Sequence, residues 1–248
     1  MLEDLYPGLG ASPAGTARKI FQRWMNREKD KQMGLDQEID QMQRLTRRMA
    51  ACTACELRDN CDSVFYGDQH VRSNLMLVGS HPEPEDMEHS QLFYGEAGRI
   101  MFEVLDEVGA VKVLQWNPLT YIMQEDGVFI TTAVKCSPAS GKHPHVSEIK
   151  ACQRWLGQQI GIVKPRVIVA LGNVALATLT GRALTNCRIS RERGSMLVAP
   201  DQKTFIMPTW DPGYVVHRSE KGGSGGAAAR NELLFDLKTA WRASCRAG

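Results

Sequence analysis

Seven cysteines are spread over the 248 residues, and four of them have a spacing that could do chemistry. Cys52 and Cys55 form a C-x-x-C. Cys136 and Cys152 lie sixteen positions apart, in Lys135-Cys136-Ser137-Pro138 and Lys150-Ala151-Cys152. Two thiolates three residues apart can bind one metal from a single turn. A second pair from a distant segment completes fourfold coordination and staples the chain to itself. Sets of four cysteines hold zinc or an iron–sulfur cluster, and spacing alone does not choose between them. Cys61 is the one rival ligand, because it lies near the first pair. Cys187 and Cys245 have no comparable pairing. There is no apolar leader and no run of about 18 apolar residues. The expected location is therefore cytoplasmic, with no membrane partner, and structural disulfides are rare there.

These residues need elements to position them. Asn74-Leu75-Met76-Leu77-Val78-Gly79 reads as a buried strand feeding a loop. Residues 128–134 form a second apolar run, Pro165 to Gly172 a third ending in Gly, and 204–209 a fourth. Between and after them, 97–109, Ser147 to Ile162, 173–180 and 229–243 read as helices. Ser147 is the expected N-cap of the second, with Glu148 in its acidic first turn. Short apolar strands alternating with helices predict a parallel sheet covered on both faces. The expected fold is a three-layer α/β/α sandwich around a mainly parallel four-stranded sheet. Ligands in such sheets sit beyond the C-terminal strand ends, so the loops after Val78, Val134, Leu171 and Thr209 should line the site. Upstream, 1–15 is rich in Gly, Pro and Ala and is expected to be poorly ordered. Residues 16–50 read as a helix interrupted at Gly34. The chain thus divides into an N-terminal arm and helix (1–50) and a main domain (51–248). Gly222-Gly223-Ser224-Gly225-Gly226 reads as a flexible segment.

Composition decides less. The chain is 43% hydrophobic and 23% charged, with a formal net charge of +2, which permits a nucleic-acid partner without implying one.

The strand-end loops carry a more specific signal. Gly79-Ser80-His81-Pro82-Glu83-Pro84-Glu85-Asp86 leads to Leu92-Phe93-Tyr94-Gly95-Glu96-Ala97-Gly98. Thr132-Ala133-Val134-Lys135-Cys136-Ser137-Pro138, the Pro165–Gly172 strand, Arg193-Gly194 and Asp211-Pro212-Gly213 follow in order. With the cysteine spacing, this series resembles the iron–sulfur (family 4) uracil-DNA glycosylases, from about Cys52 to Trp241. The resemblance implies a uracil-DNA glycosylase-like fold and DNA as partner. It also implies a structural [4Fe–4S] cluster on Cys52, Cys55, Cys136 and Cys152, and no protein partner is predicted. Phe93 stands where the family stacks an aromatic ring on a flipped base. Gly79 and Pro82 belong to the first base-binding loop. Lys135, Arg193, His217 and Arg218 are expected at DNA, with Lys142, His143 and Arg191 as further candidates.

The scaffold motifs are kept while the pocket residues differ. Ser80 replaces the family's Glu, Thr132 the Asn that reads uracil, and Asp211 the His of its H-P-S loop. Asn offers a donor and an acceptor to uracil's amide edge, whereas Thr offers one hydroxyl and less reach. An ionised Asp211 cannot donate to a departing base anion, as His can. His81 occupies a position where related families place a water-handling polar residue. Ser80, His81 and Asp211 are therefore the expected catalytic set. Glu83, Glu85, Asp86 and Glu88 read as a solvated acidic loop, and Thr131 as facing the core. Three readings follow. The first is a DNA glycosylase with specificity moved away from uracil, acting on a modified or damaged base, with modified viral DNA as a setting. The second is an inactive DNA-binding protein on the same scaffold. The third is a conventional uracil glycosylase with compensating residues.

Overall fold

In a computed structural model, the chain is described over residues 14–245, apart from 62, 69, 90, 117–118, 124–126, 139–141 and 223. The expected disorder of 1–15 therefore falls, up to residue 13, outside the described residues. Five strands make the main sheet: β1 (Leu75–Gly79), β4 (Val128–Thr132), β5 (Val167–Leu171), β6 (Leu197–Val198) and β7 (Phe205–Thr209). Their order is β4-β1-β5-β7-β6. The first four are mutually parallel, and two-residue β6 adds an antiparallel edge on β7. The sheet has one more strand than expected, because Leu197–Val198 is too short to show a period. A separate antiparallel hairpin, β2 (Val111–Trp116) with β3 (Leu119–Met123), also escapes the sequence reading.

The sheet is buried on both faces, which is why its strands read as continuous apolar runs. Along β1, Met76 and Val78 point into one core and Leu75 and Leu77 into the other. The first core is completed by α1 (Ala14–Ala50), α4 (Val146–Val163) and α5 (Gly172–Thr180), the second by α3 (Glu96–Glu107), α7 (Pro212–Glu220) and α8 (Gly225–Cys245). Short α2 (Pro84–Glu88) and α6 (Ile189–Glu192) sit in the loops.

Three local expectations are corrected. Helix α1 runs unbroken through Gly34, since one glycine costs only about 1 kcal/mol in a helix and buried Met42, Leu45 and Met49 anchor the end that packs near α4. The N-cap of α4 is His145, not Ser147: Glu148 reaches back to the His145 N–H at 2.6 Å, closing a capping box. Gly225 and Gly226, expected in a flexible segment, form the first turn of α8.

All four parallel strands end on one edge. Gly79 pairs with Thr132, and Leu171 with Thr209. The first loop is then tied down by its neighbour, Ala133 N–H donating to the Gly79 carbonyl and Val134 N–H to that of Ser80.

Candidate active site

Beyond those strand ends lies a cavity of about 750 Å³. Gly79, Ser80, His81 and Glu83 form one wall, Phe93 another, and Asp211 closes the side formed by the loop after β7. Thr132 and Pro82 are buried beneath this surface and do not open onto it. A Cβ on Gly79 would stand 3.5 Å from both the Phe93 ring and the Thr132 methyl, so Thr132 underlies the same spot. Its Oγ1 is buried without a hydrogen-bond partner among the described residues, an uncommon state for a polar atom. Thr131 does face the core and is fully buried.

Phe93 is held in the left-handed region, with φ 58°, a conformation that costs a bulky residue free energy and marks a positioned side chain. Two features impose it. Gly98, in the first turn of α3, lies so close that a Cβ there would overlap the Phe93 carbonyl. Asp86, only 5% exposed, accepts the Tyr94 N–H at 2.8 Å and the Glu83 N–H at 3.0 Å. Glu83, Glu85 and Glu88 are exposed, as expected of a solvated loop, but Asp86 is not. Asp86 ties the first loop to the Phe93 turn, and burial raises its carboxyl above the usual range against those two N–H bonds. Sequence does carry a signal for this: Glu83-Pro84-Glu85-Asp86 has a capping residue, Pro at N1 and an acid at N3, the pattern of a short helix start.

Ser80, His81 and Glu83 lie in a chain of contacts. Ser80 Oγ lies 2.8 Å from His81 Nδ1, and His81 Nε2 lies 3.4 Å from Glu83 Oε1. The His81 side chain is 5% exposed and meets the His143 ring edge-on at 6.0 Å. The hydrogen bond to His81 holds the Glu83 carboxyl below its usual value, with burial opposing. Asp211 caps α7, its Oδ1 accepting the Gly213 N–H at 2.8 Å. Burial raises its carboxyl above the ordinary value. The Gly213 N–H and the charges of His81 and His143 work the other way, and Glu83 adds to the rise. Gly172, at φ 85°, opens α5 and lets the backbone pass within 3.5 Å (from a would-be Cβ) of Asp211 Cβ. Glu83, Asp86 and the cavity-lining Asn173, Thr185 and Arg188 are the site residues that the sequence reading did not select.

Of the cations expected at DNA, two are engaged inside the protein. Lys135 is 1% exposed, and its ammonium is fully used by internal acceptors. Arg193 makes two bonds of 3.1 Å to buried Asp236 and pairs with Glu232 at 3.4 Å. Thr209 Oγ1 donates to the same Asp236 at 2.7 Å, so Arg193 braces the end of β7 just ahead of Asp211. His217 and Arg218 are exposed, in the last turn of α7 rather than in a loop. Arg188, on the cavity rim, is exposed as well.

The four patterned cysteines converge on a second, small cavity beside β4, also lined by Val64, Val134 and Trp155. Trp155 Nε1 donates to Cys52 Sγ at 3.3 Å, Arg154 approaches it at 3.6 Å, and the Lys135 N–H donates to Cys152 Sγ at 3.3 Å. Burial raises the Cys55, Cys136 and Cys152 thiols, whereas at Cys52 burial is outweighed by the Ala54 N–H, Trp155 and Arg154. Among the described residues no group of three or more His, Cys, Asp or Glu is arranged to hold a metal ion. Four thiols gathered on one small cavity, with N–H donors aimed at Cys52 and Cys152, are a donor set of the kind that holds zinc or an iron–sulfur group. Cys61 is buried beside the set, but its thiol donates to the Ser63 carbonyl at 2.7 Å.

A doubly covered parallel sheet with an aromatic platform, a His–carboxylate pair and a capped carboxyl at its C-terminal edge is the frame of an enzyme that handles a planar group in a crevice. Comparison with known proteins makes this specific. Residues 66–238 match the family model described as the Uracil DNA glycosylase superfamily, and the chain belongs to that superfamily. By that membership it is a DNA glycosylase, a hydrolase of the bond between base and deoxyribose. The type-4 uracil-DNA glycosylase of Thermotoga maritima is 33% identical over 176 residues, covering 71% of this chain and 83% of that protein. The type-4 uracil-DNA glycosylase of Sulfurisphaera tokodaii is 25% identical over 182 residues, 72% of this chain and 77% of that one. That of Pyrobaculum aerophilum is 33% identical over 144 residues, 57% and 67%. No helix among the described residues is long and apolar enough to cross a membrane.

Proposed function

We propose that this DNA glycosylase acts on a modified or damaged base rather than on uracil, and that removal of bulky modified bases from viral DNA is its setting. The observation that carries this reading is the pocket itself. It keeps a strained aromatic platform, Phe93, but surrounds it with Ser80–His81–Glu83 and Asp211, with Thr132 buried beneath. A base must leave the helix stack to be cut and is read in its pocket. Thr132 stands under the cavity wall with its hydroxyl buried, so this position offers no paired donor and acceptor to uracil's edge. The 750 Å³ cavity falls in the range that encloses drug-sized ligands, about 300–1,000 Å³, and so has room for a base with a substituent.

The chemistry divides between two groups. With Nε2–H donating to Glu83, the His81 Nδ1 lone pair faces the Ser80 hydroxyl. This relay draws a proton from the attacking water. Asp211 spends Oδ1 on the Gly213 N–H, and the buried carboxyl holds its proton to higher pH than a free one. In that form it donates to the departing base, the role an ionised carboxylate cannot fill. Arg188 on the cavity lining, with exposed Arg191, His217, Arg218 and Lys142, supplies phosphate contacts. Residues 51–248 act as the glycosylase domain, with 1–50 as an arm and helix. Cys52, Cys55, Cys136 and Cys152 hold a [4Fe–4S] cluster that orders the loops. When bound, that group supplies structural cross-linking, and base excision rests on the pocket residues.

The test is base release by mass spectrometry. Iron-replete protein is incubated with duplexes carrying uracil, hypoxanthine, 5-hydroxymethylated or glucosylated pyrimidines, and with natural viral DNAs. Release of one modified base, lost in His81→Ala and Asp211→Ala, is expected. Efficient release of uracil, or no release from any substrate by folded protein, overturns the reading.

A further inference from the structure

Lys135 belongs to neither the DNA surface nor the catalytic set, yet its side chain is fully buried and bonded at every donor. Its ammonium donates to Thr131 Oγ1 at 2.6 Å, to the Thr132 carbonyl at 2.5 Å and to Gln159 Oε1 at 2.6 Å. These three bonds use all three of its donors. No carboxylate pairs with it among the described residues, and burial pushes its pKa down to about 7. The acceptors explain why it is there. Thr131 and Thr132 end β4, at the floor of the base pocket. Gln159 is on α4, the helix that carries Cys152, and its amide donates in turn to the Tyr66 carbonyl. The Lys135 main chain joins the same parts, its N–H bonded to Cys152 Sγ and its carbonyl accepting the Phe65 N–H at 2.7 Å. From Thr132 the connection continues through the pairing with Gly79 and the Val134 N–H bond to Ser80.

We propose that Lys135 is a positioning residue that fastens the floor of the base pocket to the cysteine-bearing helix, so that Thr132, Gly79 and Ser80 keep their places only while α4 and the cysteine loop keep theirs. The use of that floor in base recognition rests on the function proposed above, whereas the fastening itself does not. A point-charge donor on a thin stem suits this passage, with three rotatable donors for two acceptors at the end of β4 and one on α4.

The experiment compares iron-replete wild type, Lys135→Met, Gln159→Leu and the double variant. Iron per chain, thermal stability and hydrogen exchange of peptides covering 76–83 and 128–138 are measured on each, with kcat and KM on the modified DNA that the panel identifies. Lys135→Met is expected to retain its iron but to exchange at least roughly tenfold faster in both peptides, since three hydrogen bonds are lost and one alone is worth about that factor. Its kcat falls more than its KM rises. The double variant still leaves the Thr132 carbonyl and Thr131 Oγ1 without the Lys135 donor, so its stability stays below wild type and the fast exchange at 76–83 and the low kcat persist. If Lys135→Met does not fold, Gln159→Leu alone must still speed exchange at 76–83. Unchanged exchange there, or recovery of protection and kcat together with stability in the double variant, overturns the proposal. Because exchange is read without DNA, failure of the base-specificity reading leaves this outcome intact.

Discussion

Gly98→Ala tests whether the Phe93 platform is built by close packing. Gly98 lies in the first turn of α3, and its φ is not in the left-handed region. On helix propensity alone the substitution should stabilise the protein by about 0.8–1.0 kcal/mol. The structure gives the opposite sign. The new Cβ would lie 2.7 Å from Phe93 Cβ and overlap the Phe93 carbonyl. Overpacking costs about 1–3 kcal/mol where side chains can shift. Here the obstacle is backbone, already held by the Asp86 bond to Tyr94 N–H, so the top of that range applies. The net expectation is destabilisation of about 2 kcal/mol, or a Tm lower by roughly 4–8 °C for a domain of this size. Gly157→Ala is the internal control. That glycine is in α4, with nothing within 4 Å of a would-be Cβ, and should gain about 1 kcal/mol. Thermal and urea unfolding of both variants decide the matter, with base release as a second reading. A Gly98→Ala protein as stable as Gly157→Ala, and still active, would refute the account of how Phe93 is placed.

Asp86→Asn should cost about 1–3 kcal/mol, because an amide can accept only one of the two N–H groups and leaves a buried donor unpaired; an unchanged urea midpoint would show that the loop is not clasped there. Asp211→Asn should become progressively more stabilising as pH rises. Burial raises the folded-state pKa of Asp211, so its favourable contribution is complete below the unfolded value and is lost as pH climbs through the folded one. Asn caps a helix about as well as Asp, and the facing groups His81, Glu83 and His143 are common to both proteins. Melting curves of the pair from acid to mildly alkaline pH should diverge upward, and a constant offset would contradict the burial argument. Cys152→Ser should reduce iron binding and lower Tm together, since Cys152 links α4 to the strand-end loop through the Lys135 N–H. Full iron content in that variant would remove Cys152 from the ligand set.

The parts of this protein legible without a structure are those in which one residue type serves a local need. The four parallel strands stand out because a sheet buried on both faces demands unbroken apolar runs. The C-x-x-C and the later cysteine pair stand out because thiol spacing is conspicuous, and Phe93 and Asp211 follow from the motif order. Tertiary contacts decided the rest. Lys135 reads as a surface cation and is buried, because three acceptors on β4 and α4 wait for it. Arg193 reads as a phosphate contact, but it is neutralised by Asp236, 43 residues away. Glu83 and Asp86 look like a solvated acidic run until α2 forms and turns one toward His81 and the other under Phe93. A charge's role depends on what the fold brings within about 4 Å of it, and residues far apart in the chain supply those partners. The sequence therefore identifies the scaffold and several of the residues that line the cavity. Only packing determines which of its charged side chains face the cavity and which hold the walls in place.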